Sequence, residues 1–403
     1  MINRVSVAYF KSIEAAQVEL GNLNVFVGAN GSGKSNLLEA IGVLSAAADG
    51  KVNDQTLLQR GVRPGGPDVY TSAFPSTSGR PLSQISFSGS SDNARYDVSL
   101  SNPREAASSC WRFTTELLER GSEKLASREQ KRRDNLNAES GLVALKMVEL
   151  KEGDAALSLM RRLQNYVIYA PTTPVLRGVT QETQPRQPVG LSGGQLPEAV
   201  HELLAARRGD KEIKRRCDEV VDLVGWAESY ESASEGGSPP WPMAISFRDK
   251  YLRRGRNVIS ARNASEGALY VLFLLVLAKH PKAPSFCAVD NADHGLNPGL
   301  ATALTKRFAD WILSARDQRQ VLMTSHNPAV LDGLPLQDDR VRLFTVDRDN
   351  RGRTIIERVR ITEKLLKKAG EGWTLSRLWM NKLIGGMPNV RNGEDRAGCR
   401  RRD

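Results

Sequence analysis

The stretch Leu23-Asn24-Val25-Phe26-Val27-Gly28-Ala29-Asn30-Gly31-Ser32-Gly33-Lys34-Ser35 restricts the possible folds of this chain more than any other. Its apolar, β-branched start reads as a buried strand. The strand enters Gly28–Ser35, which fits the pattern GxxxxGK[ST]. Apolar residues then recur at Leu37, Leu38, Ile41 and Leu44, a helical spacing. Strand, glycine loop and helix in that order predict a phosphate cradle. Gly28, Gly31 and Gly33 let the backbone curl, so that the N–H groups around Asn30, Ser32 and Asn36 and the helix dipole meet phosphate oxygens. Lys34 is expected to reach the β- and γ-phosphates, and Ser35 to give its hydroxyl to Mg²⁺. The ligands expected are ATP and Mg²⁺.

A second acidic strand should hold the metal. Phe286 to Val289 read as a short strand ending at Asp290, and Val321 to Met323 as another ending in Ser325-His326. A polar residue at the C-terminal end of a parallel strand faces the nucleotide crevice. Asp290 is therefore the expected partner of Ser35 on the metal, and His326 a γ-phosphate sensor.

Leu191-Ser192-Gly193-Gly194-Gln195 spells the signature with which ABC-type ATPases cap the nucleotide of a partner subunit. In that arrangement the signature opens one helix, which turns directly into the acidic strand, a path of roughly 20–30 residues. Ser192 lies 98 residues before Asp290, which is too far, whereas Ser265 lies 25 before it. Ser265-Glu266-Gly267 also precedes an apolar helical run, whose free N–H groups suit a γ-phosphate. Ser265 and Gly267 are thus the expected working signature, and LSGGQ a decoy.

"YFKSIEAAQVELGNLNVFVGANGSGKSNLLEAI", "SEGALYVLFLLVLA", "VDNADHGLNP" and "TSHNPAVLDGL" together resemble the head of the RecF/SMC/OLD group of ABC-type ATPases. The nearest likeness is to its bacterial AAA members found in DNA repair and antiphage defence. The resemblance covers about residues 1–50 and 160–385. It implies an α/β P-loop NTPase fold with a mixed sheet core and a helical insertion lobe. It further implies homodimers or higher homo-oligomers joined through ATP-sandwiched heads, Ser265 and Gly267 capping the partner's nucleotide. A clamp or scaffold working with a separate effector protein is the leading expectation. A DNA-binding repair ATPase in the RecF manner is the alternative, and DNA is a possible partner.

One position departs from the group. Glutamate usually follows the magnesium aspartate and polarises the attacking water, but here Asn291 follows Asp290. An amide orients water yet cannot accept its proton. Either hydrolysis is slow, or Asp293 or His326 supplies the catalysis; slow hydrolysis is preferred.

Lys and Arg total 57 against 46 Asp and Glu, a formal charge of +11 that favours polyanions only diffusely. Cys110, Cys217, Cys287 and Cys399 form no CxxC pair, so reduced thiols in a cytoplasmic protein are expected. The N-terminus has no secretory pattern. The run Ala268–Ala278 falls short of the roughly 20 residues a membrane span needs, so no membrane association is expected.

Residues 1–100 are expected to form the first half of the core, 101–255 a helical insertion, 256–385 the second half, and 386–403 a basic disordered tail. Within the insertion, residues 114–141 read as a charged helix carrying Lys124, Arg128, Lys131, Arg132 and Arg133. Residues 207–226 read as another. Neither carries a sustained heptad. Ser234–Pro242 reads as a linker back to the core. Asp347 and Asp349 form a DxD, better explained by a hairpin than by a Toprim nuclease. The 77 residues after His326 are also too few for that domain.

Overall fold

A computed structural model describes residues 1–65, 67–74, 84–101, 111–129, 137–234, 243–315, 317–362, 367–368, 371–381 and 383–386. The central sheet is built on β3 (Leu23–Gly28), whose neighbours are β13 (Gln320–Ser325) and β14 (Val341–Arg348). Beyond β13 lie β12 (Phe286–Val289) and β8 (Ile168–Tyr169); beyond β14 lies β15 (Thr354–Val359). All pairings are parallel except β14 with β15.

Because side chains alternate along a strand, each central strand feeds two cores. Leu23, Val25 and Val27 enter one and Phe26 the other; Val321 and Met323 split from Leu322 in the same way. The Phe26 side holds the Lys34–Ala48 helix, with Leu37, Leu38, Ile41 and Leu44 buried as the periodicity predicts. An antiparallel sheet closes that core, in the order β2 (Ile13–Glu19), β1 (Arg4–Phe10), β4 (Ile85–Ser90), β5 (Ala94–Ser101), β6 (Arg112–Arg120), β7 (Glu123–Arg128).

The opposite core surrounds the Glu266–Lys279 helix, buried continuously from Gly267 to Ala278. Each fully buried Leu, Val or Phe contributes about 1.5–3 kcal/mol, which explains the apolar run without a membrane. Among the described residues no helix is long and apolar enough to cross one. A small sheet, β11 (Val258–Ser260), β10 (Met243–Asp249), β9 (Ala227–Ser234), flanks this core with the Leu196–Ala206 and Lys211–Val224 helices.

Several expectations need correction. Residues 112–128 are not a charged helix but the β6–β7 hairpin, turning at Gly121 with φ 58°. The period-two pattern was hidden because an inward position carries a charge. Glu116 is 2% exposed, yet it accepts from Tyr96 Oη at 3.2 Å and from the Leu142 N–H at 2.7 Å, with Arg128 at 3.6 Å. Lys131, Arg132 and Arg133 lie outside the described residues. The 101–255 region is accordingly not simply helical: it contributes β6, β7 and β8 to the two large sheets and β9 and β10 to the third.

Ser234 pairs with Met243 across the β9–β10 hairpin, so the stretch read as an interdomain linker joins two strands of one sheet. Residues 235–242 themselves, and the tail from 387, lie outside the described residues. The charged helix expected within residues 207–226 is present, as Lys211–Val224. Cys217 and Cys287 are free and buried, and burial pushes the Cys287 thiol up to about 12.

Candidate functional site

β3 ends at Gly28, and the following helix starts at Lys34 behind Gly33, whose φ is 112°. A Cβ on Gly28 would collide with the Val346 carbonyl, and one on Gly33 with Thr354 Oγ1. Both obstacles belong to the β14–β15 hairpin, which buttresses the loop. Thr354 Oγ1 donates to the Ser32 carbonyl at 2.8 Å, and Arg348 Nε to the Gly31 carbonyl at 2.8 Å. On the outer side Asn30 and Gly31 are exposed, and a Cβ on Gly31 would meet open space.

Lys34 Nζ donates to the carbonyls of Gly28 (2.8 Å) and Ala29 (2.9 Å) and stands 3.3 Å from His326 Nδ1. Burial, opposed by Asp290 and Asp293, lowers the Lys34 pKa to about 8. Burial and the Lys34 ammonium also hold His326 below the usual imidazole value, favouring a neutral ring. The Asn36 side-chain amide donates to Ser12 Oγ at 2.7 Å, which leaves its backbone N–H to serve the cradle.

The residues present fit a nucleotide with its metal. Ser32 Oγ is buried and unpartnered within the loop. Ser35 Oγ lies 3.2 and 3.0 Å from the two Asp290 oxygens. A hydroxyl and a carboxylate are the hard oxygen donors Mg²⁺ takes, typically with phosphates and water completing the shell. Among the described residues no group of three or more His, Cys, Asp or Glu is placed to hold a metal unaided.

Asn291 takes the left-handed conformation, φ 53°, with its side chain exposed. Asn populates that region more readily than Glu, so the backbone supplies a reason for the amide beside any catalytic one. Its N–H donates to Thr324 Oγ1 at 2.8 Å, and the same hydroxyl donates to Asp290. Asp293 accepts the His326 N–H at 3.2 Å through Oδ2, while its Oδ1 is buried without a partner.

The two signature strings differ physically. Ser265 precedes the Glu266–Lys279 helix in extended conformation, exposed, with no side-chain hydrogen bond capping the first turn. Gly267 is buried, and a Cβ there would stand 2.8 Å from Leu300 Cδ2, so close packing also explains this glycine. Glu266 is tied within the chain to Thr173 and, at 3.4 Å, to His294 Nε2.

The LSGGQ turn, in contrast, has already bound an anion. Ser192 N–H (2.9 Å) and Gly194 N–H (3.1 Å) both donate to Glu182 Oε2, and Gln184 N–H donates to Oε1 at 2.9 Å. Side chains at Gly190 or Gly194 would overlap Glu182. This is a backbone nest for a carboxylate, filled from ten residues upstream.

Sequence reasoning missed Thr324, Thr173, His294 and the buttress of Arg348 and Thr354. It also missed Glu39, on the loop's helix, which is 2% exposed and bound by Lys11 and by Arg63 Nε at 2.5 Å. Burial opposes ionisation of Glu39, but Arg63 and Lys11 more than offset it. Only Thr324 left a trace, as the residue two before the expected sensor. The DxD pair is spent on backbone: Asp349 Oδ1 accepts from the N–H groups of Arg351 (2.9 Å) and Arg353 (2.7 Å), and Asp347 from Gly386 at 2.7 Å.

A phosphate loop on a mixed sheet, closed by an antiparallel sheet on one side and the Glu266–Lys279 helix on the other, is the fold of an ABC-type P-loop NTPase head. Residues 23–144 and 158–332 match the family described as "AAA domain, putative AbiEii toxin, Type IV TA system", and the chain belongs to it. The fold is similar to a crystal structure of an Smc head bound to the C-winged helix domain of ScpA, at 15% identity and TM-score 0.50, covering 91% of this chain and 99% of that one. An SMC head from Thermotoga maritima gives 14%, TM-score 0.43, and 89% and 99% coverage. A ScpA-bound Smc head derived from Pyrococcus furiosus gives 12%, 0.48, and 92% and 98%. No curated protein sequence matches the chain.

Proposed function

We propose that this ATPase head binds ATP with Mg²⁺ and dimerises head to tail around two nucleotides, forming a slowly hydrolysing clamp or scaffold for a separate effector protein in a bacterial antiphage defence complex, in the cytoplasm. In this reading Lys34 and the loop N–H groups hold the phosphates, and Ser35 and Asp290 hold the metal, which neutralises phosphate charge. Thr324 fixes the Asp290 carboxylate, and neutral His326 faces the γ-phosphate. Ser265 closes the site from the partner subunit.

The observation that carries the reading is the contrast between the signatures. Ser265 heads an exposed helix end with no side-chain cap, whereas the Ser192 turn is filled by Glu182. The test is sedimentation velocity with ATP. Ser265→Arg should bind ATP but remain monomeric, and Ser192→Arg, if it folds, should still dimerise. Dimerisation by Ser265→Arg would defeat the proposal.

A further inference from the structure

Outside the nucleotide site, a run of positive charge sits on the loop joining β10 to β11. Lys250-Tyr251-Leu252-Arg253-Arg254-Gly255-Arg256 is exposed throughout. Its base is fixed: the Asp249 N–H donates to the Asn257 carbonyl at 2.7 Å, and the Lys250 N–H to that of Trp226 at 3.1 Å. Arg248 pairs with Val258 at the mouth of the hairpin. There it lines a groove of about 340 Å³ together with Arg207 and Arg208 from the end of the Leu196–Ala206 helix. Among the described residues no ion pair joins Arg207, Arg208, Arg248, Arg253, Arg254 or Arg256 to a carboxylate. Glu231 is the only acidic residue lining the groove.

Tyr251 adds a second kind of contact. It is 76% exposed, with Lys250 Nζ 5.1 Å from its ring centroid. An aromatic ring held in solvent beside cations is a stacking platform for an unpaired base, worth about 1–3 kcal/mol per base. Arginine forks match phosphate oxygens. The cationic surface is a groove and a narrow loop, which tracks a strand and does not suit a flat bilayer.

We infer that the β10–β11 loop and the adjoining arginine groove bind single-stranded nucleic acid, the phosphates lying on Arg248, Arg253 and Arg254 and a base on Tyr251. The site lies apart from the ATP site and does not depend on the clamp reading. Arg256 precedes Ser265 by nine residues along the chain, through β11.

The test measures fluorescence anisotropy of labelled oligothymidylate and of a duplex of equal length, with a fluorescent ATP analogue titrated into the same preparations. The wild type should prefer the single strand. Arg253→Glu/Arg254→Glu should weaken binding at least tenfold and flatten the salt dependence by about 1.4 in log–log slope, at roughly 0.7 per phosphate contact. Tyr251→Ala should weaken the single strand about tenfold and leave the duplex unchanged. Both variants should keep the ATP analogue. The inference is overturned if oligonucleotide affinity survives charge reversal, if duplex is preferred, or if phosphatidylserine vesicles or polyglutamate bind more tightly than oligothymidylate. Failure to bind the ATP analogue in wild type would count against the nucleotide site alone.

Discussion

Ser35 Oγ donates to the Asp290 carboxylate at 3.0 Å across 255 positions of sequence. Thr324 holds the same carboxylate from the other side and accepts the Asn291 N–H. Three separate segments therefore set one pair of oxygens before any ligand arrives.

Removing the Thr324 hydroxyl should loosen the Asp290 carboxylate. Thr324→Val leaves the Asn291 N–H unpaired, at a cost of about 1–3 kcal/mol, and frees the Asp290 carboxylate to rotate. The Mg²⁺ concentration giving half-maximal ATP binding should rise about tenfold, and Thr324→Ser should restore it. An unchanged Mg²⁺ titration in Thr324→Val would show that Asp290 needs no such support.

Lys34 is the main side-chain cation facing the loop, where it turns back on the Gly28 and Ala29 carbonyls. Lys34→Ala should abolish tight ATP binding, because charge-assisted hydrogen bonds to phosphate are roughly twice as strong as neutral ones. Calorimetry showing wild-type affinity would remove the basis of the nucleotide assignment.

Asn291→Glu restores a proton acceptor at the usual place. General-base catalysis typically contributes about 10²–10⁴-fold; the left-handed backbone, costing about 1–2 kcal/mol for an ordinary side chain, reduces the gain. Phosphate release should rise about tenfold. If Asp293 already acts as base, Asp293→Asn would instead stop a brisk wild-type turnover and Asn291→Glu would change little.

Glu182→Ala should destabilise the chain without touching ATP-dependent dimerisation. It leaves the N–H groups of Gln184, Ser192 and Gly194 without their acceptor, and each buried unpaired donor costs about 1–3 kcal/mol. Urea denaturation should show a midpoint well below that of Glu182→Gln, which keeps one acceptor oxygen.

His280 is 1% exposed, and burial lowers its pKa despite Glu202 at 3.2 Å. The folded state thus resists protonation more than the unfolded chain, whose imidazole titrates near 6.5. Its stability contribution is complete above about pH 6.5 and is lost as pH falls toward the depressed folded value. Thermal melts should drop more steeply from pH 7.5 to 5.5 in wild type than in His280→Asn; parallel curves would assign the acid sensitivity elsewhere.

The elements with strong local signals were legible in the sequence. Gly28–Ser35 and the Lys34–Ala48 helix announce themselves through glycine spacing and a 3.6-residue period, and the Asp290 and His326 strands through short apolar runs ending in polar residues. The β6–β7 hairpin was not legible, because the inward Glu116 interrupts the alternation, and its compensation by Tyr96, Leu142 and Arg128 comes from distant parts of the chain.

Counting residues from each signature to Asp290 was enough to prefer Ser265 over Ser192, since one helix and a turn can span only so much chain. What fills the Ser192 turn could not be counted: Glu182 reaches it only after the intervening loop folds back. The same holds for Gly28 and Gly33, whose lack of a side chain is demanded by Val346 and Thr354 more than 300 residues away. Local backbone geometry is written in neighbouring residues, and the sequence by itself determined the phosphate loop, its helix and the short strands that end at Asp290 and Ser325-His326. Contacts between segments depend on where the sheet places them, so only the tertiary structure decided which carboxylate, hydroxyl or carbonyl each loop would meet.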